Sequence, residues 1–255
     1  MKATKIAGLL AVVASLVITP SLFAAMTVTL QQDTSRYSFG VGGEFRAVGN
    51  GELNSIVNWS AYSTANSTTA TASRNNSFQT FCIEYNEHFN PGATYNVGVS
   101  QNAMYGNQGP GGDPISIGTA WLYSQFAAGT LGGYNYTYGS GRASSTSAGA
   151  LQMAIWSLEG EYTGTLTTAA LTFINLATAD LTARGLLGVG RTYVSLQADA
   201  LGAFGVRALN LGAAGAVQDQ LVIVVPEVST LAAGALLILP LGISAWRILR
   251  RNRSA

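Results

Sequence analysis

The chain's only cysteine and only histidine stand together in one short stretch, Phe81-Cys82-Ile83-Glu84-Tyr85-Asn86-Glu87-His88. A thiolate is a strong nucleophile, and Glu84, Glu87 and His88 are of the types that take up or return its proton. A single cysteine excludes an internal disulfide. A single histidine leaves, among hydrolase-type arrangements, only a Cys/His pair with no supporting motif. A second pair of interest lies downstream, where Gln152 and Trp156 are four residues apart and would share a face of a helix. A glutamine beside an apolar stripe is costly to bury without partners, so its presence there needs an explanation.

The elements that must position these residues can be read from pattern. Residues 79–84 and 93–99 read as strands, with Asn90-Pro91-Gly92 as the turn of a hairpin, which places Cys82 on a strand. If 79–88 is extended, Glu84 and His88 lie on the side of Cys82 and Glu87 on the other. Residues 26–30 and 36–48 are β-rich, and 60–77 is a polar loop or weak strand pair. The period then changes. Residues 114–131 place Ile117, Trp121 and Leu122 at helical spacing behind an Asp113-Pro114 cap. Residues 144–161 form a second helix with Ala148, Leu151, Ile155 and Leu158 on one face, and 167–187 form a third. Strand patterns return at 192–197, 205–211 and 220–225, without a glycine-rich phosphate loop or metal-spaced ligands, so no cofactor or metal is expected. The expectation is an α+β fold: a β-rich sandwich or barrel-like domain with a helical insertion of about three helices between early and late strands.

The ends read as export and sorting signals. Lys2 and Lys5 precede the apolar run 6–17, and Ala24-Ala25 close a small-residue stretch, the pattern of a Sec-type signal peptide over 1–24. At the other end, Val225-Pro226-Glu227-Val228-Ser229-Thr230 is followed by the apolar run 231–246 and then by Arg247, Arg250, Arg251 and Arg253. The run reads as a transmembrane helix, and the positive-inside rule keeps its arginines cytoplasmic and the body outside. This tripartite tail, 225–255, resembles the PEP-CTERM sorting signal of Gram-negative bacteria, with Val228 where that family usually has a second proline. The resemblance implies processing by an exosortase at a motif of Pro226, Glu227, Ser229 and Thr230. It also implies transient anchoring in the inner membrane and delivery to the cell surface or an exopolysaccharide-containing matrix.

Between these signals, 25–224 suits one secreted domain. The chain is 48% hydrophobic and only 10% charged, with 30 glycines, which fits a β-rich extracellular protein and not a nucleic-acid binder. Its near-neutral total hides a body with seven arginines, eleven carboxylates and no lysine.

Phe81-Cys82-Ile83-Glu84 and Leu151-Gln152-Met153-Ala154-Ile155-Trp156 together resemble the bacterial thioester domain of surface adhesins, over about 79–161. In that family an aromatic residue or leucine precedes the cysteine, and the glutamine opens a Gln-x-x-hydrophobic-hydrophobic motif on a helix. The resemblance implies that the Cys82 sulfur and the Gln152 side-chain carbonyl are joined as an internal thioester. It makes Trp156 the aromatic of the glutamine motif; Glu84 and His88, on the side of Cys82 in an extended strand, are the candidates for proton transfer. Chemically, a thiolate held against a carboxamide on rigid elements can displace ammonia, and the thioester formed is a far better acyl donor than an amide. The expected function is a secreted adhesion protein that attaches through Gln152 to an amine or hydroxyl on a polymer, protein or surface. This is single-turnover self-modification, not enzyme catalysis, and a lysine-free body removes amines through which copies would couple to each other. Two alternatives stay open. The bond could be purely structural, or Cys82 could be a buried small hydrophobe and Gln152 part of a polar network, in a non-covalent structural protein of an exopolysaccharide matrix.

Overall fold

The computed structural model describes residues 26–32, 38–39, 42–63, 76–104, 112–137, 145–187, 193–197, 202–212 and 217–226. The expected signal peptide, the expected transmembrane helix and Glu227, Ser229 and Thr230 lie outside them. Among the described residues no helix is long and apolar enough to cross a membrane.

The strands are β1 (Thr27–Gln31), β2 (Ser38–Phe39), β3 (Gly42–Gly43), β4 (Phe45–Asn50), β5 (Ser77–Thr80), β6 (Thr94–Ser100), β7 (Asn102–Ala103), β8 (Asp113–Pro114), β9 (Val206–Leu211) and β10 (Gln220–Ile223). The helices are α1 (Leu53–Ile56), α2 (Ile117–Ala128), α3 (Ser145–Leu158) and α4 (Thr168–Ala183). The expected α+β class is observed: α2, α3 and α4 interrupt the chain between the early strands and β9–β10. Six strands form a curled antiparallel sheet in the order β10-β9-β6-β1-β4-β5. The curl brings its two edge strands together. Just beyond β5, Phe81 O accepts the Leu221 N–H at 3.1 Å and Ile83 N–H donates to Asp219 O at 3.0 Å, and the Thr80 hydroxyl donates to Leu221 O at 2.7 Å. Further along β10, Asn58 N–H donates to Ile223 O and Val225 N–H to Ile56 O. The free edge of β10 is thereby covered, which removes a template for unwanted strand pairing.

Period-two alternation sorts the strand residues into two cores. Val28, Leu30, Ala47, Phe78, Leu209, Val222 and Val224 pack inside the curl, whereas Phe81, Ile83, Val206, Ala208, Leu221 and Ile223 pack against the helices. α3 is the centre of the helical layer. Beyond the expected stripe of Ala148, Leu151, Ile155 and Leu158, it also buries Met153, Gln152, Trp156 and Ser157, so it is enclosed on all sides.

Four local readings are corrected. The strands flanking Pro91-Gly92 do not form a hairpin: β6 pairs with β1 and β9, and the turn at Gly92 docks on Leu30 through a 2.6 Å bond from its N–H. Asp113-Pro114 is not a helix cap but a short ladder with Asn102–Ala103, and Ser116 caps α2 by accepting the Thr119 N–H. Residues 192–197, expected as a strand, contain a 3-10 turn at Tyr193–Gln197. Residues 36–48 are divided among β2, β3 and β4.

The seam between β5 and β10 gives a test. Thr80→Val keeps the shape of a wholly buried side chain but deletes the hydroxyl that bonds Leu221 O. It should lower stability to urea by about 1 kcal/mol; an unchanged midpoint would show that this bond does not hold the seam.

Candidate functional site

Cys82 stands where the continuation of β5 meets β10, and it faces α3. Burial leaves it no solvent contact, and with Phe45 and Trp156 it forms a small core cluster of its own. Gln152 comes to it from α3. The glutamine carboxamide lies along the Cys82 peptide as a neighbouring strand would: its Nε2 donates to Cys82 O at 2.9 Å, and its Oε1 accepts the Cys82 N–H at 3.1 Å. The same Oε1 accepts the Gly43 N–H at 3.0 Å. A wholly buried glutamine is thus satisfied by backbone groups.

Gly43 reaches this position because the β2–β3 ladder leads the chain under α3, and its φ of 132° is a conformation that favours glycine. Gly42 beside it is required by contact, since a Cβ there would overlap the Trp156 ring and crowd Cγ of Gln152. Trp156, one turn after Gln152, is wholly buried and donates its Nε1–H to Glu84 O at 3.0 Å. Tyr85 packs edge-on against Trp156 at 4.9 Å and against Tyr162 at 5.8 Å, and at 37% exposure it is the solvent-facing member of this roof.

Behind the sulfur lies a polar group that the sequence reading did not identify: Gln218, Asp219 and Gln220 on the β10 side, all buried. Their signal was present in Gln218-Asp219-Gln220, a polar run opening an otherwise apolar strand. Gln218 Nε2 donates to Glu84 O at 2.6 Å, and Asp219 N–H to Glu84 Oε2 at 3.0 Å. Asp219 itself accepts from the Met104 and Leu211 N–H groups and from Asn210 Nδ2. Burial raises Glu84 to about 9, with Asp219 and Glu87 adding to the shift. Asp219 is also raised by burial but opposed by its hydrogen bonds. Three donors face Asp219, whereas Glu84 Oε1 has no partner among the described residues, so the pair keeps its charge on Asp219 and its proton on Glu84. The Cys82 thiol is pushed far up by burial, the donors from Gln220, Gln218 and Gly43 offsetting this only in part.

Of the expected residues, Cys82, Gln152, Trp156 and Glu84 are brought together. His88 is not: the regular strand ends early, and the histidine stands exposed in the following loop. Glu87, expected on the far side, is raised first by partial burial and then by Asp219 and Glu161, which places it within reach of the same acidic group. Pro226, just past β10, is exposed.

Chemically, two N–H groups on one carboxamide oxygen polarise its carbonyl and would hold an oxyanion at that atom, the arrangement that favours acyl transfer. The sulfur belongs to the residue whose own peptide clamps that carboxamide, so the Cys82 and Gln152 side chains are held near each other by one set of bonds. Comparison of the chain with protein-family models, curated proteins and solved structures finds no match.

The Glu84 proton makes stability depend on pH. The folded protein keeps it up to about pH 9, while the unfolded chain releases it near the ordinary 4.5, so folding takes up a proton between those values and stability falls as pH rises through them. Glu84→Gln removes the ionisable group, and its stability relative to the unsubstituted protein should improve steadily from pH 5 to pH 9 in urea unfolding. Parallel curves would place the proton elsewhere.

Proposed function

We propose that this protein is an exported adhesion component whose Cys82 and Gln152 form an internal thioester, through which it attaches covalently to an amine or hydroxyl of an extracellular polymer, protein or surface. The observation that carries the reading is the clamp on the Gln152 carboxamide, whose oxygen accepts the N–H groups of Cys82 and Gly43 and whose nitrogen donates back to Cys82 O. Bond formation consumes the thiol and the carboxamide: Sγ adds to Cδ, the Cδ–Nε2 bond breaks, and the thiol proton leaves with the nitrogen as ammonia. The buried tryptophan and the tyrosine roof keep water from the acyl group while it waits for a nucleophile.

The ends of the chain supply the location. A Sec signal peptide would export the body, and an exosortase acting at the Pro226-Glu227 motif would release it from the inner membrane to the cell surface or matrix of a Gram-negative bacterium. Val225 and Pro226 leave β10 exposed, as a processing enzyme requires. The lysine-free body fits the same chemistry, because it offers no side-chain amine to a neighbouring copy.

Intact-mass measurement of the secreted protein tests the bond. A deficit of one ammonia is expected, absent in Cys82→Ala and Gln152→Ala and converted by methylamine to an adduct; full mass with an alkylatable thiol would leave a non-covalent matrix protein instead. The lysine argument has its own check: lysines placed on exposed positions should produce self-linked oligomers, and none would appear if copies never meet an open thioester.

A further inference from the structure

The sulfur of Cys82 has one neighbour that the proposed function does not yet use. Gln220 is directly opposite Cys82 across the seam of the sheet. The flanking bonds, Leu221 N–H to Phe81 O and Ile83 N–H to Asp219 O, make the two a non-hydrogen-bonded pair, in which side chains on one face approach most closely. Gln220 is wholly buried, and its Nε2 donates to Cys82 Sγ at 3.4 Å and to Gln218 O at 3.3 Å. The second bond fixes the orientation of the amide, because turning it over would set its oxygen against the Gln218 carbonyl oxygen. Oε1 of Gln220 is left buried without a partner among the described residues, a cost that an apolar side chain at this position would avoid.

An N–H aimed at sulfur contributes little to a neutral thiol, which is a weak acceptor, and much more to a thiolate. We propose that Gln220 is a catalytic residue of the thioester chemistry, holding the Cys82 sulfur as an anion while the carbon–sulfur bond is made and broken. The proposal rests on the Cys82–Gln152 reading above. When the bond forms, the developing thiolate adds to Cδ of Gln152 and its proton leaves on ammonia. In transfer, the amine or hydroxyl adds to Cδ, the Cδ–Sγ bond breaks, and the sulfur departs against the Gln220 N–H. The nucleophile's proton then ends on the sulfur, which restores the thiol.

The surroundings give this donor its importance. Among the described residues the carboxyl that acts on the sulfur is Glu84 on its own segment, itself flanked by Asp219 and Glu87, while α3 contributes the neutral Gln152 and Trp156 and Tyr162 packs against the cluster. Glu84 keeps its proton and Asp219 carries the nearby negative charge, so no cation among the described residues is at hand and stabilisation of the anion falls to the N–H groups of Gln220, Gln218 and Gly43. Of these, Gln220 is set against the sulfur by its strand register.

Gln220→Met and Gln220→Leu each fill the buried position with an apolar side chain of similar size and delete the donor. The secreted protein and both variants are followed by intact mass during exposure to methylamine. Transfer should slow by about 10- to 100-fold in each variant. A second reading separates chemistry from packing: with one cysteine in the chain, the S–H stretch in the Raman spectrum is a single band, and in the Gln152→Ala thiol form it should shift when Gln220→Met is added. Variants that transfer at the unsubstituted rate, or an unmoved S–H band, overturn the role of Gln220 and leave the thioester standing. An unsubstituted protein without the ammonia deficit overturns both.

Discussion

A buried carboxamide must find a partner for each of its polar atoms, and the way Gln152 does so organises the rest of the site. Its donor and acceptor match one peptide unit of an extended strand, so it pairs with Cys82 as a strand residue would, although it sits on a helix. This pairing requires α3 to approach the continuation of β5 closely, and a close approach requires small residues where the helix passes over β3. Gly42 and Gly43 meet that need, one by the absence of a Cβ under Trp156 and the other by a backbone turned so that its N–H points at Gln152 Oε1. The enclosure of α3 on every side follows from the same approach, with α2 and α4 covering the faces that the sheet does not.

The electrostatics follow from that burial. Glu84, Glu87 and Asp219 are each raised first by burial, with neighbouring charge adding to the shift at Glu84 and Glu87, and the low-dielectric interior cannot hold all three ionised. Donors decide which keeps its charge. Asp219, ringed by Met104, Leu211 and Asn210, is the anion, and Glu84 retains a proton directly beside the thiol segment. Burial holds the free thiol neutral, and in the proposed chemistry anion-stabilising N–H groups would be the means by which the sulfur reacts.

The parts of this arrangement governed by local rules were legible in the sequence. The three long helices are where the apolar period puts them, although their starts are set by Ser116 and Thr167, which accept the third N–H of α2 and α4, and not by Asp113-Pro114. Cys82, Gln152, Trp156 and Glu84 were legible as chemistry-bearing types at motif spacing. What escaped depended on distant pairing. Pro91-Gly92 signals a turn, but nothing local tells that β1, far upstream, pairs with β6 and displaces β5. His88 was misplaced because extension was assumed past the point where the strand turns away, and Gln220 went unread because its partner across the seam is 138 residues away. Gly42-Gly43 was visible as a doublet, but its use depends on a helix whose position the doublet cannot encode.

The position of the site at the seam also bears on what a bond there would do. Cys82 belongs to the segment that fastens one edge of the sheet to β10, and Gln152 to the central helix of the other layer. A covalent link between them would close a loop of about 70 residues and stabilise the fold by about 4 kcal/mol on the chain-entropy argument used for disulfides. Transfer to an external nucleophile gives up that cross-link, yet the seam keeps its backbone ladder and Gln152 keeps its place on α3. Load on the captured partner would then pass through the Gln152 side chain into a fully enclosed helix, and from there into the core that the helices form against the sheet. A reactive glutamine on an exposed loop would transfer its acyl group as readily but would deliver the load to a segment with little packing to resist it. In the proposed function, burial of this residue would serve two demands at once, exclusion of water before the reaction and anchorage after it.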